Sequence, residues 1–145
     1  MKVFLDTNVL ASAAATRGLC ADVLREVLAS HDLIISEQVI NELKKVLKFK
    51  FGVSQDLIDD FIWLLQRDTV LAQSAELPKV QIQDKDDLPI LGAAIAAGVE
   101  VLVTGDKELL ELGHIQDVKI LSPRLFWEKL RARRQRQARR GKLRR

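Results

Sequence analysis

The sequence predicts an α/β/α sandwich on a mainly parallel sheet. Short apolar runs alternate with amphipathic helical stretches along the chain. Runs such as Val3-Phe4-Leu5 and "DLIIS" are apolar at successive positions, as in strands covered on both faces. The 145 residues, nearly half of them apolar and with few Gly or Pro, suit one globular domain with a respectable core.

The elements follow in order. Val3-Phe4-Leu5 reads as a short buried strand. A helical stretch comes next, clearest in "ADVLREVLA" (21–29), where Val23, Leu24, Val27 and Leu28 share a face. "DLIIS" (32–36) is a second buried strand, and Ser36 is the expected N-cap of "EQVINELKKVLKF". Gly52 stops that helix, and Ser54 caps "QDLIDDFIWLLQR". Residues 69–82 are loosely patterned, with room for one strand. "DKDD" then leads into an Ala-rich helix ending near Ala97, followed by the strand "VEVLVT" (99–104) and one or two helical turns in "GDKELLEL". "DVKILS" is the last strand, and Ser122-Pro123 opens the last helix with Pro at its first position. No internal repeat is visible.

Composition excludes several classes. The single cysteine, Cys20, cannot form an intramolecular disulfide, which fits a reducing compartment and leads to the expectation of a cytoplasmic protein. No secretory leader is expected, because the first apolar run lasts only three residues before Asp6. The stretch 88–105 is the one membrane suspect, and Gly98 and Glu100 split it into a helical and a strand part. No membrane partner is therefore expected.

The net charge of +3 hides an asymmetry. Residues 1–130 hold 14 Lys and Arg against all 20 acids, a balance of −6. Residues 131–145, "RARRQRQARRGKLRR", hold nine bases and no acid. The expected organisation is a catalytic unit over 1–130 and a basic tail over 131–145. The tail carries no aromatic residue, so it suits phosphate contact rather than base reading. Arg131, Arg133, Arg134, Arg136, Arg139 and Arg140 are the candidate nucleic-acid contacts. Such a segment would also offset repulsion between an acidic face and RNA. The plainer alternatives are a solvated extension of the last helix, or docking to an acidic partner.

Chemistry in open parallel sheets sits beyond the carboxyl ends of the strands. Asp6 directly follows the first strand, and Asp106 follows "VEVLVT" after a Thr104-Gly105 turn. Asp106 is equally suited to capping "KELLEL". Asp87 shares a helical face with Ile90, Leu91 and Ala94, so it points toward the core or a pocket. Its plainer role is a first-turn acid in a box with Asp84. Glu42 neighbours Val39 and Val46 at the edge of an apolar face, where a half-exposed Glu is the ordinary explanation.

These four acids lie on four separate elements. Gathered together, they would raise one another's pKa values unless a cation stood between them. Mg²⁺ or Mn²⁺ suits carboxylate oxygens and needs no His or Cys. His31 and His114 have no ligand partner at a useful spacing, which disfavours zinc. A carboxylate-held metal can activate water and stabilise charge on a phosphate, which is phosphodiester hydrolysis. Phosphate-cradling glycine loops and the G-x-S-x-G elbow are missing. Cys20 has no evident base to activate it.

"VFLDTNVLAS", a Glu on the helix after the second strand, "DKDDLPILGAAIAAGVEVLVTGDKELLEL" and "ILSPRLFWEKL" together resemble the PIN-domain family. The likeness covers about residues 1–130 and is closest to the VapC-like branch of toxins of toxin–antitoxin pairs. It implies a Rossmann-like three-layer sandwich with a four- or five-stranded parallel sheet, and a metal-dependent endoribonuclease. Asp6, Glu42, Asp87 and Asp106 match the family's four acids. Asn8 and Thr104 match its supporting polar positions. Asp84 and Asp86 are extra acids of this branch, one of them expected to support the site. The resemblance also implies RNA as substrate, an antitoxin partner and a homodimer. Phe61 or Trp63 could serve such an interface, while Trp127 is expected in the core.

Two other readings compete. A haloacid-dehalogenase-type phosphatase would want a second Asp where Asn8 stands. A catalytically silent PIN-like module acting through the basic tail need not keep four acids.

Overall fold

The computed structural model describes residues 1–73 and 76–143. A sheet of six strands runs through the molecule: β1 (Lys2–Leu5), β2 (Asp32–Ser36), β3 (Val70–Ala72), β4 (Val101–Val103), β5 (His114–Ile115) and β6 (Val118–Leu121). Seven helices connect and follow them among the described residues: α1 (Thr7–Ala15), α2 (Leu19–Ser30), α3 (Glu37–Phe49), α4 (Gln55–Asp68), α5 (Asp87–Ala96), α6 (Lys107–Leu112) and α7 (Pro123–Leu143).

The strand order is β3-β2-β1-β4-β6-β5. Five of these strands are mutually parallel, as expected. The sixth, β5, pairs antiparallel with β6 at one edge and exceeds the predicted count. Two residues have no periodicity to read. The chain leaves β1 toward β2 on one side and later returns to β4 on the other. This is the topological switch point of a doubly wound sheet, the place beyond the strand ends where such sheets carry their chemistry. With right-handed crossovers, α1–α4 cover one face and α5 and α6 the other.

Sequence and structure agree closely over α3, whose first turn is capped by Ser36 Oγ accepting from the Val39 amide at 3.2 Å. Ser54 precedes α4 but makes no capping hydrogen bond. The single helical stretch expected before β2 is two helices, because α1 begins immediately at Asp6. Val3, Phe4, Leu5, Leu33, Ile35, Leu102 and Val103 are buried in the sheet, and Leu10, Val23, Leu43, Leu65, Leu91 and Phe126 pack over them. Trp127 is half-buried against this core rather than within it. Leu57, Trp63 and Leu64 on α4 face solvent, Trp63 at 62% exposure, while Phe61 is half-buried.

The last helix runs without a break across the expected boundary at residue 130. Its 21 residues extend about 31 Å, whereas four-residue β6 spans only about 13 Å. A helix that starts at the carboxyl end of β6 and folds back must overshoot the far end of the sheet. Among the residues whose burial is described, Leu130 is the last buried one, and residues 131–142 are exposed. Among the described residues no helix is long and apolar enough to cross a membrane.

Candidate active site

Asp6 is the N-cap of α1, placed there because β1 ends at Leu5 and the chain turns directly into a helix. Its amide donates to the Val103 carbonyl at 3.0 Å, which ties it to the end of β4. Oδ1 accepts from the Thr7 amide at 2.6 Å, and Oδ2 accepts from the Thr104 hydroxyl at 2.7 Å. Only 8% of Asp6 is exposed. Burial pushes its carboxyl above the ordinary value, the Thr104 and Thr7 hydrogen bonds pull it down, and Glu42 and Asp106 push it up again. The acid that ends the first strand is thus a cap and a buried, charge-crowded group at once.

Thr104, fully buried, belongs to the same construction. Its amide donates to the Leu121 carbonyl at 3.0 Å, and its hydroxyl oxygen accepts from the Asp106 amide at 3.0 Å. Asp106 Oδ1 in turn caps α6 through the Leu109 amide at 3.1 Å. The capping role proposed for Asp106 is therefore present, and Asp106 still contributes to the field felt by Asp6 and Asp87.

Glu42 comes from α3, half-buried. Oε2 accepts from the Thr7 hydroxyl at 2.8 Å, and Oε1 accepts from Gln38 Nε2 at 3.0 Å. The same Gln38 amide donates to the Asp86 carbonyl at 2.9 Å, so one side chain links α3 to the start of α5. Asp87 opens α5. Its Oδ2 is buried without a hydrogen-bond partner, the only such side-chain atom among the described residues. Burial, then Asp84, Asp6, Asp106 and Glu42 in turn, push its carboxyl up to about 7. Asp84 Oδ1 accepts from the Asp86 amide at 3.0 Å, and of the two extra acids it is Asp84 that presses on Asp87.

All four predicted acids therefore converge at one end of the sheet and sense one another's charge. Among the described residues, no three Asp, Glu, His or Cys side chains stand close enough to grip one ion as they are oriented. Asp6 and Asp106 each turn an oxygen toward a helix amide instead. In kind the donors fit a hard divalent cation. They are carboxylate oxygens without His or Cys, and one buried oxygen has nothing to accept from.

Asn8 departs from expectation. It is exposed on α1, and among the described residues no hydrogen bond joins it to an acid. Its neighbour Thr7 does that work. Thr7, Gln38 and Glu108 were not legible as site residues. Glu108 accepts from the Gln83 amide through both oxygens, at 2.9 and 3.0 Å, which pins the loop before α5 to α6. The spacing of Gln38 four residues before Glu42 was the available signal. Cys20 is half-buried in the first turn of α2, and burial pushes its thiol up, which suits an inert side chain.

The described part of the basic tail does not approach the acids. Met1, Glu100, Lys129, Arg133, Arg136 and Arg140 surround one groove, which lies at the amino-terminal ends of β1 and β4. Met1 and Asp6 flank β1, about 16 Å apart by strand rise. The tail consequently does not shield an incoming polyanion from the acidic end. Of the candidate contacts, Arg134 is paired with Glu26 at 2.7 Å, and Arg131 and Arg139 project from other sides of the helix.

No curated protein sequence matches the chain. Among solved structures, the crystal structure of VapBC2 from Rickettsia felis, bound to a DNA fragment from its promoter, shares this fold. The likeness has a TM-score of 0.62 at 20% identity and covers 84% of this chain and 98% of the other. The sequence pattern defining the PIN domain matches residues 2–108, from β1 through all four acids. The chain belongs to the PIN-domain family.

Proposed function

We propose that this protein is a divalent-metal-dependent endoribonuclease and the toxin of a toxin–antitoxin pair. The observation that carries the reading is the convergence of Asp6, Glu42, Asp87 and Asp106 from four elements, with Asp87 Oδ2 buried and unpartnered. A structural feature that holds ionisable groups at such a cost to the fold is most readily explained by catalysis. Membership of a family of nuclease type supports it.

In this reading Asp6, Glu42, Asp87 and Asp106 hold Mg²⁺ or Mn²⁺. When bound, the cation supplies Lewis acidity toward water and toward the scissile phosphate. The protein's own residues orient that centre. Thr104 holds Asp6 Oδ2 and the Asp106 amide in one register, and Thr7 and Gln38 aim the two Glu42 oxygens. Asp84 adds negative potential beside Asp87. The catalytic unit is residues 1–130.

An antitoxin partner is supported by the shared fold with the toxin–antitoxin complex VapBC2. Leu57, Trp63 and Leu64 give α4 an exposed apolar strip suited to that partner or to a second copy in a homodimer. The cytoplasm, where RNA is met, is the proposed site of action.

The test is cleavage of a structured RNA by purified protein with Mn²⁺ or Mg²⁺ against EDTA, alongside Asp6→Asn and Asp87→Asn. Metal-dependent cleavage lost in both variants is the expected result. RNA that stays intact under every metal condition overturns the reading, and salt-dependent binding of that intact RNA would leave a silent RNA-binding module. Induced expression should arrest growth, and Asp87→Asn should relieve the arrest.

A further inference from the structure

From Lys129 onward α7 presents a row of cations at the end of the sheet remote from the acids. Lys129, Arg133, Arg136 and Arg140 recur at helical spacing, so they fall within about 60° of one another around the axis. They line a groove of about 450 Å³ closed on its other side by Met1 and Glu100. Lys119 on β6 belongs to the same field: burial, with this second ammonium beside it, holds Lys129 below the usual lysine range. Glu100 is the only carboxylate among the groove's lining residues. Arg134, further round the helix, has its ion pair with Glu26, whereas among the described residues none of the four groove cations is in a salt bridge.

What the row can bind follows from what surrounds it. From 131 to 142 the only apolar side chains are Ala132 and Ala138, and no aromatic follows Trp127. A protein partner would need apolar anchors to bury, and single-stranded nucleic acid would want aromatic platforms for its bases. A duplex backbone needs neither. It offers phosphates at regular spacing, and guanidinium forks match their oxygens. From Lys129 to Arg140 the row spans about 17 Å, the axial rise of about five nucleotides of one strand.

We propose that this groove binds the phosphate backbone of a nucleic-acid duplex, independently of sequence, at a surface separate from the acidic end of the sheet. The surface requires neither a metal nor cleavage, so its failure and failure of the nuclease reading are distinguishable.

The experiment is fluorescence anisotropy of a 20-base-pair duplex, as RNA and as DNA, with the full chain in EDTA over a range of KCl concentrations. With four phosphates contacted, log K should fall against log salt with a slope of about −3 to −4. Arg133→Glu/Arg136→Glu/Arg140→Glu should weaken binding at least tenfold and flatten the slope, with an unchanged melting temperature because all three side chains are exposed. Lys44→Glu/Lys45→Glu/Lys48→Glu makes the same charge change on α3 and should cost less than threefold. Tight binding of either duplex supports the proposal, and the stronger one names the nucleic acid. Equal losses in the two triple variants would overturn it in favour of overall charge. Competition by poly-glutamate as effective as by duplex, at equal charge, would overturn it in favour of an acidic protein.

Discussion

Thr104 reaches Asp6 across 98 residues of chain, donating its buried hydroxyl to Oδ2 at 2.7 Å while accepting from the Asp106 amide at 3.0 Å. One hydroxyl thereby binds the ends of the two central parallel strands and two of the four acids. It also opposes the effect of burial on Asp6.

Thr104→Val keeps the shape and removes both bonds. A buried hydrogen bond to a charged group contributes about 2 kcal/mol, and its loss leaves Asp6 Oδ2 desolvated. The variant should lose about that much stability in urea denaturation, and Thr104→Ser should recover most of it. An unchanged urea midpoint for Thr104→Val would show that Asp6 does not depend on this hydroxyl.

Asp87 predicts a pH dependence. Its folded-state carboxyl titrates near 7, above the ordinary 3.8, so the folded protein holds a proton that the unfolded chain releases. Stability therefore falls as pH rises from about 4 through 7 and then levels off. Asp87→Asn should remove most of that slope and leave the part that Asp6, also raised by burial, contributes. At pH 8 it should stabilise the metal-free protein by about 1 kcal/mol, a figure discounted because the group is partly solvated. Urea midpoints across pH 4–8 measure both effects, and parallel curves for the two proteins would contradict them.

Gln38 is a positioning residue linking Glu42 to the Asp86 carbonyl. Gln38→Ala, at a partly exposed site, should change stability by less than about 0.5 kcal/mol. Cleavage should nevertheless fall severalfold, with Gln38→Glu unable to restore it because a carboxylate cannot donate to Glu42. Thermal melts beside single-turnover cleavage separate the two effects. Equal loss of melting temperature and rate would reduce Gln38 to a structural role.

The legible and illegible parts of this protein divide by range. The span of α3 was readable because Ser36 caps it and Val39, Ile40, Leu43 and Leu47 keep a helical period. The placement of the four candidate acids was readable because strand ends and inward helix edges are local features. Thr7 was not, since Glu42 lies on another element, and of the two Gln38 bonds only the one to Glu42 four residues on is local, whereas the one to Asp86 exists only in the fold. Nor was β5, whose two residues carry no pattern. The tail's charge was plain, yet composition says nothing of which end of the sheet it occupies. The mismatch between a 21-residue helix and a four-residue strand settles that.

Gly92 sits on the same helix as Asp87, with backbone packed against it. A Cβ there would lie 2.8 Å from the Glu76 carbonyl oxygen, which cannot swing aside as a side chain could. Gly92→Ala should destabilise by about 2 kcal/mol despite Ala's better helix propensity. Chemical denaturation checks the sign, and a more stable variant would mean that the 76–78 segment yields freely.

Metal should act on stability through the same acids that oppose folding without it. Crowded carboxylates raise one another's pKa, so a cation between them relieves repulsion and binds the folded state alone. At one hundred times its dissociation constant, Mn²⁺ would add about 2.7 kcal/mol, or a rise of about 5 °C or more in melting temperature for a chain of this size. Asp6→Asn and Asp87→Asn should each lose most of that rise, while Asp59→Asn on exposed α4 should keep it. KCl at matched ionic strength controls for general screening. A rise of the same size in KCl, or in Asp87→Asn, would mean that the acids form no metal centre.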